Sequence, residues 1–362
     1  MSFDYTRRVE RLQQGMVEAG VDITLLSVGA DLPYFTGYEA VPSERLTVLV
    51  VPAVSDPVLI VPLLEAPGVG ALPFEIRSWT ETEDAVELAS SVRRAPRRVA
   101  VGDHMWAVFL TRFQNHWREA AWIPASDLTS AIRLRKEPAE VDLLRRAAHG
   151  VDRVMGRIPK ELVFAGRTEY AVARDLAELT IGEGHQSAEF TIVASGPNGA
   201  SPHHHPGARV IEVGDSVVCD FGGRLDGYYS DSTRTFVVGE ASDLQIEVHQ
   251  AVLRANEAGR EVAGPGVRCQ DVDRAARAIV DAAGLGEFFT HRTGHGIGLE
   301  VHEHPYIVEG NETILESRMT FSVEPGVYLR GRFGVRIEDI VVCTTDGVES
   351  LNQSDRSIVV VE

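Results

Sequence analysis

The first third of the chain alternates one amphipathic segment with short apolar runs. Apolar residues recur on one stripe of residues 5–19, which predicts a helix that ends at Gly20. Runs rich in Val, Leu and Ile predict four strands, at residues 23–28, 46–51, 58–61 and 98–101. Because helical or mixed segments separate these strands, the pattern predicts a small α/β domain over residues 1–132.

The rest of the chain combines longer helices with paired strands. Pro138 follows a densely charged segment and suits the first turn of a helix, so we place the domain boundary between about residues 130 and 137. Helices are predicted over residues 138–155, from the N-cap Thr168 to Ile181, from the capping box of Ser242 and Gln245 to about residue 262, and over 271–283 before Gly284. Strands are predicted at residues 190–194, 217–221, 233–238, 319–323 and 335–343. The pattern therefore predicts a mixed α/β domain over residues 137–362.

A weak internal repeat carries four acidic residues. The segment SVVCDFGG, a turn and YYSDSTRTFVV are echoed by TFSVEPGV, a turn and VRIEDIVV. Asp220 and Asp231 lie 11 positions apart in the first copy, whereas Glu324 and Glu338 lie 14 positions apart in the second. Two hairpins related by a pseudo-twofold axis would direct all four carboxylates to one point.

Such a convergence of carboxylates requires positive charge. Asp220 lies in an apolar run, and a buried carboxylate must be paired, protonated or bound to metal. A salt bridge explains one such residue equally well, but four converging carboxylates repel one another unless cations lie between them. Two divalent metal ions satisfy this requirement, since carboxylates can bridge them.

Histidines between and before the two acidic hairpins supply further candidate ligands. The segment HRTGHGIGLEVHEHP contains four of them, His291, His295, His302 and His304, and the glycines around His295 allow close approach of the backbone. A second cluster, residues 203–205, follows a Pro- and Gly-containing loop. At least one histidine of this second cluster is equally well explained as part of a solvated loop.

Charge and cysteine content exclude several classes of protein. The formal net charge of −18 argues against partners that are nucleic acids or anionic membranes. The three cysteines are far apart and form no CxxC pair, as expected for buried residues in a reducing compartment. The N-terminus lacks the apolar core of a signal peptide, and no apolar run is long enough to span a membrane, so we expect a cytoplasmic protein.

Four motifs together resemble a known family. The segments VVCDFGGRLDGYYSDSTRTF, HRTGHGIGLEVHE, SVEPGVY and GVRIED match, in order and spacing, the pita-bread metallopeptidases, which include methionine aminopeptidase, aminopeptidase P and prolidase. The first domain, with RVERLQQGMVEAGVD and YFTGY, resembles the N-terminal domain of the prolidase, aminopeptidase P and creatinase branch. The resemblance implies an α/β (α+β) protein with a C-terminal pita-bread fold and a smaller creatinase-like N-terminal domain.

The resemblance also implies a dinuclear metal site and a mechanism. Five metal ligands are carried over, namely Asp220, Asp231, His295, Glu324 and Glu338. The metals implied are two divalent ions, with manganese expected and cobalt or zinc as alternatives. A metal-bridging water would attack the peptide, Glu324 would take its proton, His302 would stabilise the oxyanion and His203 would contact the substrate. Arg336 matches an arginine that orients the ligands, and a structural role remains equally open for it.

The chain departs from the prolidase pattern at one position. An arginine that holds the free carboxylate of a dipeptide in many prolidases is replaced here by Tyr306. Arg45, in the first domain, is a candidate replacement if its loop reaches a partner's active site, whereas a surface arginine at the start of a strand is the favoured explanation of this residue. We expect an enzyme, a metallopeptidase that acts as an Xaa-Pro dipeptidase, and a homodimer, with an Xaa-Pro aminopeptidase acting on longer peptides as the alternative. A metal-free creatinase-like hydrolase and a non-catalytic pita-bread binding module are more distant alternatives, against which the presence of all five ligand types argues.

Overall fold

The computed structural model describes residues 3–362, and the chain divides into two compact units between Arg133 and Leu134. No helix among the described residues is both long and apolar enough to cross a membrane. Each unit has its own sheets and its own buried apolar cluster.

The first unit is built around one six-stranded sheet. Its helices are α1 Tyr5–Ala19, α2 Asp31–Thr36, α3 Ala85–Ser90, α4 Ala107–His116 and α5 Ser126–Arg133. Its strands are β1 Ile23–Leu26, β2 Val48–Pro52, β3 Val58–Pro62, β4 Glu75–Trp79, β5 Arg98–Val101 and β6 Ala121–Pro124. The strand order is β4-β3-β2-β1-β5-β6, with antiparallel pairing only along β1-β2-β3.

The predicted helix and four strands of this unit are confirmed within one or two residues at most ends. Asp4 caps α1 through its side chain, and Gly20 ends the helix with a φ of 66°. Two strands, β4 and β6, were not predicted, because they lie at the edges of the sheet and most of their residues are exposed or half-buried. Without a buried face they lack the apolar run that marks the other strands.

The second unit contains four long helices and three sheets. Its helices are α6 Pro138–Glu161, α7 Glu169–Gly182, α8 Asp243–Val262 and α9 Cys269–Ala282. Its strands are β7 Ser187–Ser195, β8 Ser216–Leu225, β9 Tyr228–Tyr229, β10 Ser232–Val238, β11 Gly294–Gly296, β12 Glu303–Ile307, β13 Thr320–Val323, β14 Gly326–Leu329, β15 Phe333–Arg336, β16 Asp339–Cys343, β17 Val348–Ser350 and β18 Val359–Val361. One sheet has the order β18-β10-β8-β7 with β9 beside β8, the second β12-β11-β13-β16-β17, and the third is the pair β14-β15.

The predicted helix starts are explained by their caps. The capping box of Ser242 and Gln245 opens α8, which ends at Val262, and Thr168 caps α7. Pro138 is the first residue of α6, which continues to Glu161 because its buried stripe extends beyond the predicted end. The predicted strand over 335–343 is wrong as one element.

That apolar run is divided between two sheets. β15 pairs with β14 and ends at Arg336, whereas β16 begins at Asp339 and pairs with β13. Between them, Ile337 packs into an apolar cluster with residues of α8 and α9, and the Glu338 amide donates to the Thr233 carbonyl at 3.1 Å. Because residues are buried on both sides of the break, the sequence pattern does not reveal it. The break is what places Glu338 outside a regular strand.

Candidate active site

The first acidic hairpin is a continuous antiparallel pair. Asp220 lies inside β8 and is flanked by Ile192 of β7 and Thr233 of β10. Asp231 directly precedes β10, and both aspartates are buried. The β8–β9 turn contains Asp226 and Gly227, both with positive φ. This turn leads the chain back toward β10.

The second pair of acids lies just outside its paired strands. Glu324 follows β13 and its amide donates to the Thr293 carbonyl at 2.7 Å. Glu338 precedes β16, and its Oε2 accepts a hydrogen bond of 2.7 Å from the Thr233 hydroxyl. Since Thr233 also binds the Glu338 amide, the first hairpin directly orients an acid of the second.

His295 joins the two hairpins. Its Nε2 lies 3.6 Å from Asp231 Oδ2 and 3.3 Å from Glu324 Oε1. The ligand atoms of Asp231, His295 and Glu338 all lie within 4.8 Å of one another, and all three residues are buried. Asp231 directly precedes β10, His295 lies in β11 and Glu338 directly precedes β16, so three separate segments of the chain meet at this point.

Two glycines allow the neighbouring strands to approach His295. A Cβ on Gly294 would lie 1.8 Å from the Ser322 carbonyl oxygen, and a Cβ on Gly296 would lie 2.2 Å from that of His304. Any side chain at either position would collide with backbone. The Ser322 hydroxyl accepts a hydrogen bond from the His295 amide at 3.0 Å, which fixes the strand at this point.

Three carboxylate oxygens at this point are buried and have no hydrogen-bond partner. They are Asp220 Oδ1, Asp231 Oδ1 and Glu338 Oε1. A buried charged oxygen without a partner is costly, so three of them at one point fit coordination of a cation. The donor set, carboxylates with one imidazole, suits a divalent transition metal.

The pKa shifts of the cluster also fit coordination of a cation. Burial, and then the neighbouring carboxylates, raise the pKa of Asp231 and of Glu338 well above their usual values. Burial is also the main cause that raises the pKa of Glu324 to about 7. Burial, followed by the nearby His302, lowers the pKa of His295 well below its usual value, so its ring is neutral and can ligate. A divalent cation would favour the charged form of each carboxylate.

Arg336 connects this cluster to a buried hydrogen-bond chain. One guanidinium nitrogen lies 2.5 Å from Asp220 Oδ2, and its Nε donates to the Thr233 hydroxyl at 3.1 Å. Another nitrogen donates to the Tyr328 hydroxyl at 2.8 Å, which in turn lies 2.8 Å from His291 Nε2. Burial, and then Arg336, lower the pKa of His291 to about 3. His291 therefore belongs to this chain of hydrogen bonds and not to the ligand set.

His302 lies beside His295, and His203 acts electrostatically on both His302 and His291. The His302 ring centroid lies 4.1 Å from that of His295. Burial lowers the pKa of His302, and the charges of Arg292 and His203 lower it further, so His203 is within electrostatic reach. His203 is exposed, whereas its neighbour His204 is held by Glu169. Glu169 was missed by sequence reasoning, because a single acid at a helix start carries no motif.

Tyr306, the residue that departs from the prolidase pattern, has a cationic side chain as a neighbour. The Arg292 guanidinium lies 4.3 Å from the ring centroid of Tyr306, and His304 packs against the same ring at 4.8 Å. Among the described residues Arg292 forms no ion pair within 4 Å. Arg45, in the first unit, instead binds Glu44 and Glu81 at 2.5 and 2.7 Å. Arg292 was missed by sequence reasoning although it lies within the histidine motif.

Known proteins resemble this chain over both units. Residues 142–345 match the model of metallopeptidase family M24, and residues 8–135 match the creatinase/prolidase N-terminal domain. The chain is 42% identical to the probable dipeptidase PepE of Mycobacterium tuberculosis, over 99% of this chain and 96% of that protein. It is 34% identical to the Xaa-Pro dipeptidase of Lactobacillus helveticus, over 98% of each chain. The crystal structure of a prolidase from Thermococcus sibiricus aligns with a TM-score of 0.95 and 34% identity, over 99% of this chain and all of that one.

Proposed function

Because this chain belongs to metallopeptidase family M24 and carries a creatinase/prolidase N-terminal domain, we propose that it hydrolyses the Xaa-Pro bond of dipeptides. The family and the mixed α/β fold, with a creatinase-like unit before a pita-bread unit, confirm what the sequence motifs predicted. The protein is therefore an enzyme, and its site belongs to the metallopeptidase class.

The observation that carries the proposal is the set of three buried, unpartnered carboxylate oxygens beside a neutral His295. We assign five residues to the metal ions: Asp220, Asp231, His295, Glu324 and Glu338. Two divalent cations, when bound there, would supply a water activated near neutral pH and a Lewis acid for the peptide carbonyl.

The remaining roles fall to the chain's own side chains. Glu324 accepts the proton of the attacking water and passes it to the departing proline nitrogen. His302 donates a hydrogen bond to the negative charge that develops on the carbonyl oxygen. His203 contacts the substrate near the scissile bond, and Arg336 keeps Asp220 in its orientation through their contact of 2.5 Å.

Preference for a dipeptide requires a cation that binds its free carboxylate. Arg45 is one candidate, if its loop reaches the active site of a partner. Arg292 is a second, because it has no acidic partner among the described residues and acts electrostatically on His302. Substitution of either residue by Ala should reduce cleavage of an Xaa-Pro dipeptide more than cleavage of an Xaa-Pro-Yaa tripeptide. Equal losses on both substrates would exclude that residue as the clamp.

The function is tested with protein that has been stripped of metal and reconstituted with manganese. We expect cleavage of an Xaa-Pro dipeptide that a chelator abolishes, and weaker cleavage of the tripeptide. A tripeptide rate above the dipeptide rate would instead indicate an Xaa-Pro aminopeptidase. Absence of chelator-sensitive cleavage of either peptide would contradict the proposal.

Three finer statements belong to the same proposal. Manganese is the proposed metal, because four carboxylates and one imidazole form an oxygen-rich donor set. A homodimer is proposed by resemblance to the two-domain branch of the family. The cytoplasm is the proposed location, supported by three buried cysteines that form no disulfide.

A further inference from the structure

The buried carboxylate of Glu169, in the second unit, accepts more hydrogen bonds than the start of a helix requires. Glu169 is the first residue of α7, and its side chain is completely buried. Its Oε1 accepts hydrogen bonds from the Ser195 amide at 2.8 Å and the Ser195 hydroxyl at 2.7 Å. The Asn198 amide group donates to the same oxygen at 3.0 Å.

The second oxygen of Glu169 binds the far side of the same loop. Oε2 lies 2.8 Å from His204 Nε2 and accepts a hydrogen bond of 3.2 Å from the Gly207 amide. The Glu169 amide also donates to the Arg209 carbonyl at 3.0 Å. Burial raises the pKa of Glu169, but these donors outweigh it and leave the pKa below its usual value. One ionised carboxylate therefore gathers both ends of residues 195–207, here named the His203 loop.

The middle of the His203 loop rests against the ligand-bearing strands. The Pro202 carbonyl accepts a hydrogen bond of 3.3 Å from Arg336, the residue that binds Asp220. Backbone of Gly199 packs so closely on Gly334 of β15 that a Cβ on Gly334 would lie 1.9 Å from the Gly199 oxygen. The loop is thus fixed on the Glu169 side and on the metal side.

His203 lies between these two points and is itself exposed. An exposed side chain is not oriented by packing, so its direction depends on how firmly the adjacent backbone is held. His203 nevertheless acts electrostatically on both His302 and His291, which places it at the edge of the site.

We propose that Glu169 is a positioning residue for substrate binding: it holds the His203 loop so that His203 faces the peptide beside His302. The proposal rests on the proposed function, which gives His203 its contact with the substrate. The side-chain and backbone donors to the Glu169 carboxylate all lie in the His203 loop, so its effect on catalysis passes through the loop.

The test is a double-mutant cycle between Glu169→Gln and His203→Ala, measured as kcat/KM on an Xaa-Pro dipeptide. We expect Glu169→Gln alone to reduce kcat/KM by about tenfold or more, as a misplaced contact does. In the His203→Ala background the same change should cost less than about twofold, because the contact that it positions is already gone. Losses that multiply would overturn the proposal.

Two further measurements distinguish a failure of this proposal from a folding defect and from a wrongly assigned substrate. Hydrogen exchange of the His203 loop should accelerate in Glu169→Gln but not in Glu178→Gln, an exposed change on the same helix. This readout does not depend on any peptidase activity, so wild-type protein that fails to cleave Xaa-Pro peptides contradicts only the proposed function. If Glu169→Gln does not fold, Asn198→Ala and His204→Ala remove donors from the loop side and should show the same coupling to His203. Unchanged loop exchange in all three variants would contradict the proposal.

Discussion

The two acidic hairpins of the second unit share a sequence pattern but not a backbone. In the first, β8 and β10 pair directly, and Asp220 lies within the paired region. In the second, β13 and β16 pair, but the separate hairpin β14-β15 is inserted between them, and both glutamates lie outside the paired residues. The two acids lie 14 positions apart in the second copy and 11 in the first.

The difference shows how each hairpin depends on the other. Arg336 of the second hairpin lies 2.5 Å from Asp220 of the first, and Thr233 of the first donates to Glu338 of the second. Neither pair of acids is oriented by its own hairpin alone. We therefore expect changes in one hairpin to alter the acid of the other.

Loss of a ligand should have the largest effect. Glu338→Gln keeps the shape of the side chain but removes a charge that a cation requires, so kcat on an Xaa-Pro dipeptide should fall by about a thousandfold or more. Glu312→Gln, an exposed change in the same unit, should leave kcat unchanged. Activity of Glu338→Gln within tenfold of wild type would contradict its assignment as a ligand.

The metal-free protein should lose stability as the pH rises. The pKa of Glu324 is about 7 in the folded chain against 4.5 as its ordinary value, so between these values the unfolded chain releases a proton that the folded chain retains. The free energy of unfolding should therefore fall by roughly 3 kcal/mol from about pH 4.5 to about pH 7. Asp231 and Glu338 shift in the same direction and add to the effect.

Chemical denaturation of chelated protein across this pH range measures the loss. In Glu324→Gln the dependence on pH should be shallower, because the substituted side chain does not titrate. A wild-type and a variant curve with the same slope would show that Glu324 does not have a raised pKa.

Substitution of Arg336 tests whether the second hairpin orients Asp220 of the first. Arg336→Lys keeps the positive charge but cannot bind Asp220, Thr233 and Tyr328 at once. Metal affinity should fall by about 10- to 100-fold, the range found for residues that orient ligands. Competition with a metal-sensitive dye gives the affinity, and an unchanged value would assign Arg336 a structural role only.

Substitution of Thr233 tests whether the first hairpin orients Glu338 of the second, and it should give the smallest effect. Thr233→Val removes the hydroxyl that joins Arg336 to Glu338, at 3.1 and 2.7 Å, while it keeps a β-branched side chain in β10. We expect a loss of about tenfold in metal affinity. Thr235→Val is the matched control, because the Thr235 hydroxyl binds only the backbone of Arg336. Equal losses in both variants would indicate a general loss of strand stability.

The candidate ligands could be predicted from the sequence more completely than the residues that orient them. Asp220, Asp231, Glu324 and Glu338 are marked by the internal repeat, and the glycines beside His295 by a motif that steric contacts explain. The break of the strand at Glu338 was not predictable, because the residues around it are buried on both sides.

The partners of these residues depend on contacts between distant segments. Glu169 acts on the His203 loop through hydrogen bonds that span up to 38 positions in sequence. Thr233 and Glu338 are 105 positions apart. No pattern of neighbouring residues in the sequence predicts such contacts. The edge strands β4 and β6 were missed for a different reason, since exposed residues leave no apolar signature.

We propose that both hairpins together hold one dinuclear metal centre. Its most direct test is the metal content of reconstituted, dialysed protein, measured by mass spectrometry for wild type, Asp231→Asn of the first hairpin and Glu324→Gln of the second. We expect two divalent cations per chain in wild type and fewer than two in each variant, although each retains one intact hairpin. Wild-type protein that binds no cation, or variants that retain the full wild-type content, would contradict it.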